Sequence, residues 1–223
     1  MAAPVDRHSI ALGACFAINH AQTLLEDAAT LYSHKRASGA FHLAVMAREE
    51  LGRFHLLAER YHKLSDGELL DAKELAQSLQ PHKVKLFAGQ STVPVPMTTE
   101  QHAEWSAAIQ RNDEQTVSTI SQNVRLRAQR LKPHQAAELH QRRLKAQYVD
   151  LDPQTGLWSQ PSSVSMLDAS TLIRTVVAEI ANALIGLRGV AWIQNAFQVA
   201  GMSPPKMGPF THRIYAFLGT GDA

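Results

Sequence analysis

A single cysteine in 223 residues excludes an internal disulfide, so the fold must be held by its core. Cys15 lies among Leu12, Ala14 and Phe16 and reads as an apolar packing position, a weak candidate for a nucleophile and in keeping with a reducing cytoplasm. Excess charge is also lacking: 22 Lys+Arg against 20 Asp+Glu leave a formal +2, so a nucleic-acid surface would have to come from local clustering. The N-terminus has no basic segment leading into an unbroken apolar run, which argues against secretion. The most apolar late stretch, Val176 to Ile193, carries Glu179, Asn182 and Arg188, which are costly at the centre of a bilayer. It is expected as a core helix, with no membrane partner. Internal repeats, glycine-rich phosphate loops and a Gly-x-Ser-x-Gly string are missing, which disfavours nucleotide-binding α/β folds and classical serine hydrolases.

What the chain does have is helical rhythm. Its 45% hydrophobic residues and only 10 prolines suffice for one sizeable core. Ile10, Ala14, Ala17, Ala21, Leu24, Ala28 and Leu31 recur at spacings of three and four, as do Ala40, Ala44, Ala47, Leu51, Phe54, Ala58 and Tyr61. Ser9 is a candidate N-cap for the first run. The two runs predict helices over about 9–33 and 37–63. The short polar break Ser33-His34-Lys35-Arg36 makes them an antiparallel hairpin with alanine-rich seams. A shorter helix is expected from about Glu68 to Leu79, and a loop over 89–99. Two helices separated by Pro133 should fill about 100–145. Residues 148–165 read as an ordered loop or short hairpin, and a long C-terminal helix should cover about 167–200. The fold class is therefore all-α, a helical bundle in one domain over 1–200, followed by a tail over 201–223 that docks or stays loose.

Candidate chemistry falls into three groups. On the second helix, with Ala47 as origin and about 100° per residue, Glu49 lies near 200° and should face water, while Glu50 lies on the shoulder of the apolar face. A half-buried carboxylate needs a partner, and the hairpin register offers Asn19 or His20. That polar contact serves either register or a site. A second group, Pro81-His82-Lys83-Val84-Lys85, places a histidine and two cations at a helix start, suited to phosphate binding or acid–base work on RNA, or else simply solvated. The third is the basic run Arg125, Arg127, Arg130, Lys132, Arg142, Arg143 and Lys145, opposed only by Glu138. It is either an RNA-backbone surface or a charged outer helix face, and no aromatic residue inside it supports base stacking. Glu59 and His62 imitate half of a di-iron site, but no second such pair occurs, so no metal or other cofactor is expected.

The segment from Arg36 to Arg53, ending Ala47-Arg48-Glu49-Glu50-Leu51-Gly52-Arg53, resembles the signature helix of the AbiV family of abortive-infection proteins. The resemblance continues through Leu24-Leu25-Glu26-Asp27-Ala28, Pro81-His82-Lys83-Val84-Lys85-Leu86, and Lys145 to Asp150 with Trp158 and Pro161. It implies a HEPN-like helical bundle, a homodimer and a role in defence against phage. Many HEPN proteins are metal-independent ribonucleases with an Arg, four to six residues, then His motif. Arg36/His42, Arg48/His55 and Arg127/His134 match that string, and about two matches are expected by chance at this composition. The resemblance directs attention to Glu50, His82, Lys83, Lys85, Tyr148 and Asp150 as catalytic candidates. Two readings stand: an effector that cleaves or binds RNA, or a non-catalytic module that engages a phage or host protein.

Overall fold

The computed structural model describes residues 4–89, 99–111, 113–147, 150–151, 158–159, 164–187, 190–204 and 206–218. Helices α1 (Arg7–Ser33) and α2 (Ala37–Lys63) form the expected hairpin and make the most extensive helix–helix contact among the described residues. Asp6, not Ser9, caps α1: its carboxylate accepts the Ser9 amide at 2.7 Å. The chain reverses within three residues because Lys35 adopts a left-handed conformation, φ 62°, while the Arg36 amide bonds back to the Leu31 carbonyl. Ala14, Ala21 and Ala28 on α1 and Ala40, Ala44 and Ala47 on α2 are all fully buried, and small side chains let the two helices approach closely.

The second helix is covered on more than one side. Besides α1, it packs against α4 (His82–Gly89), α6 (Glu114–Gln147) and α7 (Met166–Gly186). The α2/α4 crossing is a contact of backbones. A Cβ on Gly52 would lie 1.8 Å from the Lys85 carbonyl oxygen, and one on Gly89 would lie 2.3 Å from that of Arg48. Only glycine at both positions permits this approach.

Several boundaries differ from the sequence expectation. The helix expected from Glu68 begins later, as α3 (Ala72–Leu79), because Asp71 accepts the Lys73 and Glu74 amides and so fixes the N-cap there. Before it, Leu70–Asp71 (β2) pairs antiparallel with Pro4–Val5 (β1). Pro133 does not divide the middle segment, since α6 runs through it. The break falls between α5 (Thr99–Gln110) and α6, where Asp113 accepts the Thr116 amide at 3.1 Å. Strong helix formers on both sides carry α6 past the lost hydrogen bond. Asp150–Leu151 (β3) and Trp158–Ser159 (β4) pair as a short antiparallel hairpin.

The segment expected as one C-terminal helix is helical but interrupted, as α7 and α8 (Ala191–Val199). A Ser165/Asp168 capping box starts α7, and Leu172, Ile173, Val176, Val177 and Ile180 bury its inner face. By length and composition α7 is apolar enough to cross a membrane, yet half of it is buried inside the molecule. Within it, Glu179 is buried and paired with Arg48, so α7 is a core helix. Beyond residue 200 the chain docks: α9 (Met207–Leu218) packs on α1 and α7, with Phe210 and Ile214 fully buried.

Candidate active site

The carboxylate at the centre of the site is Glu49, which the helical wheel sent to solvent. Its side chain is 5% exposed. That wheel considered packing against α1 alone, whereas α4 and α6 cover the opposite side of α2. Glu49 Oε2 accepts the Nδ1 hydrogen of His82 at 2.7 Å. Lys85 Nζ stands 3.9 Å from the same oxygen, and Arg143 Nε stands 3.7 Å from Oε1. Lys85 and Arg143 are buried, so two buried cations share one carboxylate without a close hydrogen bond to it. Arg143 Nε and Glu49 Oε1 have no hydrogen-bond partner among the described residues. Both atoms are closed to solvent, so Arg143 offsets the Glu49 charge inside the fold.

The imidazoles complete the geometry. His82 stays 46% exposed although its Nδ1 is tied down, and this hydrogen bond leaves Nε2 as the working nitrogen. The His140 ring stacks on His82 at 5.5 Å between centroids, with an interplanar angle of 21°. His140 and Arg143 are three residues apart on α6, hence on one face. Burial, then Arg143, hold the His140 ring below the ordinary histidine range, with Glu49 opposing. His42 is lowered by the same causes in the same order. Burial is also the main reason that Lys85 is lowered, assisted by Arg53 and opposed by Glu49 and Glu50.

Several expected site residues stand elsewhere. Lys83 is exposed beside His82, whereas Lys85 turns inward, so the cluster at the start of α4 is split between surface and core. Glu50 pairs with Arg53 at 2.8 Å. Among the described residues no hydrogen bond joins it to Asn19 or His20, although His20 lines the same groove as Glu50. Arg53, one turn along α2, supplies the partner instead. In the basic run, Arg142 pairs with Asp168 at 2.7 Å and lies over the Phe41 ring, while Arg143 is buried on Glu49. These two arginines are therefore engaged within the fold. The side chains of Arg125, Arg127, Arg130, Lys145 and Asp150 lie outside the described residues, as does Tyr148.

Of the Arg–His strings, Arg48 is consumed by Glu179 in the core, and Arg36 is an exposed residue at the start of α2. Glu59 is ion-paired with Lys63 and His62 packs edge-on to Trp192. Among the described residues no group of three or more His, Cys, Asp or Glu could hold a metal.

The model of the HEPN_AbiV family, described as AbiV, matches residues 10–182. The chain belongs to the AbiV family. That match covers the hairpin, α4, α6 and most of α7, the elements that carry Glu49, His82, Lys85, His140 and Arg143. The family is of the HEPN type, in keeping with the helical bundle, and bears the abortive-infection name. No curated protein and no solved structure matches the chain.

Of the residues gathered at Glu49, sequence reasoning singles out His82, Lys85 and Arg143 but neither Glu49 nor His140, and it does not single out the two crossing glycines. One signal was present for His140, its place one turn before Arg143. Another was available for Gly52, a glycine inside a strongly periodic helix, where it costs about 1 kcal/mol relative to alanine unless something approaches closely.

Proposed function

We propose that this chain is a cytoplasmic abortive-infection effector that binds RNA and cleaves it without a metal, using the histidine pair above Glu49. The observation that carries this reading is the His82 Nδ1 to Glu49 Oε2 hydrogen bond, which aims an exposed imidazole outward beside a second histidine and two cations. His140, whose hold on a proton is weakened by burial and by Arg143, accepts the proton of a ribose 2′-hydroxyl. The 2′-oxygen then attacks the adjacent phosphorus and the P–O5′ bond breaks. Protonated His82 gives its Nε2 proton to the leaving 5′-oxygen, so the products are a 2′,3′-cyclic phosphate and a 5′-hydroxyl. Lys83, exposed beside His82, would carry the added charge on the phosphoryl oxygens, while Arg143 stays buried against Glu49.

Incubating the purified protein with tRNA and total RNA, in EDTA, tests this. Cleavage leaving cyclic phosphate ends, lost in His82→Ala and in His140→Ala, is expected. Intact RNA together with no salt-sensitive binding overturns the proposal. Exposed apolar side chains on α4, Val84 at 42% and Phe87 at 43%, favour the second reading, a surface that engages a phage or host protein. Under that reading His82→Ala keeps phage protection while polar replacement of Val84 removes it.

A further inference from the structure

A groove of about 700 Å³ opens between α1, α2 and α3, with Lys85 in its lining. This is the size of a small-ligand site. One flank is apolar, formed by Leu75, Leu79 and Phe16, and Phe16 is 54% exposed although it lines a concavity. The other end is polar, where Glu50 and Arg53 stand paired at 2.8 Å with His20 and Gln80 alongside. The side chains of His20 and Gln80 make no hydrogen bond to other described residues.

The groove shares one residue, Lys85, with the candidate active site. Lys85 Nζ faces the same Glu49 oxygen that holds His82. Gln80, at its rim, is two residues from His82, a span of at most about 7 Å along the chain. A strand whose phosphate lies at His82 and Lys83 would therefore carry a neighbouring base to the groove mouth. Single-stranded RNA is read by splayed bases that stack on aromatic side chains and bond along their edges. A carboxylate fixed beside a guanidinium presents an acceptor next to donors. Guanine presents the complement, its N1–H and N2–H beside the O6 acceptor.

We infer that the Phe16/Glu50/Arg53 groove is a guanine-binding subsite that selects the nucleotide next to the scissile phosphate. This rests on the RNA reading above, but its test separates the two. The full chain is titrated with the four nucleoside monophosphates by calorimetry, and cut sites are mapped on a defined RNA. Guanosine monophosphate is expected to bind at least tenfold more tightly than the others. Glu50→Gln removes that preference, and Phe16→Ala weakens binding of the guanine nucleotide about tenfold or more and raises KM on RNA. Phe16 is half exposed, so the variant should melt as the wild type does, and circular dichroism checks this. Equal, Phe16-insensitive binding of all four nucleotides overturns the subsite. Cleavage without base preference and with unchanged KM in Phe16→Ala also overturns it while leaving the ribonuclease standing. Guanine-selective binding without cleavage supports the subsite and overturns the ribonuclease instead.

Discussion

Gly52→Ala is the most direct probe of how the site is assembled. The added methyl would lie 1.8 Å from the Lys85 carbonyl oxygen, 2.6 Å from its carbon and 2.9 Å from the Gly89 nitrogen. Ordinary contact begins at 3.4 Å, so the nearest atom must retreat by 3.4 − 1.8 = 1.6 Å. That atom is backbone, so no rotamer change relieves the clash, and α4, only eight residues long, is the element that must move. Overpacking of this kind costs about 1–3 kcal/mol. Partial exposure of the fully buried Leu86 adds up to about 2 kcal/mol, while the helix-propensity gain of alanine over glycine returns about 1 kcal/mol. The net loss, about 2 kcal/mol and at most about 4, lowers Tm by about 4–8 °C at the central value in a chain of this size. The displacement also carries His82 away from Glu49. Calorimetry measures the first effect, and nitrogen NMR of the histidine rings measures the second, as loss of the Nδ1 proton signal that Glu49 sustains. Gly13→Ala is the control: its methyl would meet only Leu57 Cδ1 at 3.4 Å, so stability should hold or rise by up to about 1 kcal/mol. Gly89→Ala should copy Gly52→Ala, and the double variant should cost less than the sum. If Gly52→Ala melts like Gly13→Ala and keeps the His82 signal, the glycine crossing is not what positions the site.

Other predictions follow from buried charge. Removing either partner of the Arg48–Glu179 pair, which joins α2 to α7, leaves a buried charge and should cost about 3–5 kcal/mol in urea unfolding. Arg48→Met combined with Glu179→Leu should recover much of that loss, and strict additivity would show that the two are not coupled. Burial holds His42 and His140 below the ordinary histidine value of 6.5, so the unfolded chain takes up these protons first as pH falls. Their contribution is full above about pH 6.5 and lost below it. His42→Gln should flatten the decline of Tm between pH 7 and 5, and an unchanged slope would refute the assignment. Burial pushes the Cys15 thiol up to about 11, and its S–H faces the Ile193 carbonyl. A disulfide reagent at pH 8 should therefore label only unfolded protein, and rapid labelling of native protein would contradict this.

What the sequence made legible was whatever depends on one helix and its immediate neighbour. The hairpin was readable because Ala14, Ala21, Ala44 and Ala47 repeat at the helical period and the break between the runs is only a few residues long. Glu49 was not, because a helical wheel identifies a buried face only when the number of covering elements is known, and α2 is covered on several sides. Its polar residues then mark not the solvent side but the places where charged partners arrive from α4, α6 and α7. Read this way, Arg48, Glu49 and Glu50 are three consecutive charges sent to three environments. Arg48 meets Glu179 in the core, Glu49 holds His82 between α4 and α6, and Glu50 lines the groove with Arg53. Gly52 then has a physical reason to lie within the same turn as Glu49. The close approach of α4 that Gly52 permits brings the helix carrying His82 and Lys85 against Glu49, so the short Glu-Glu-Leu-Gly run encodes both the anchor and space for its partners.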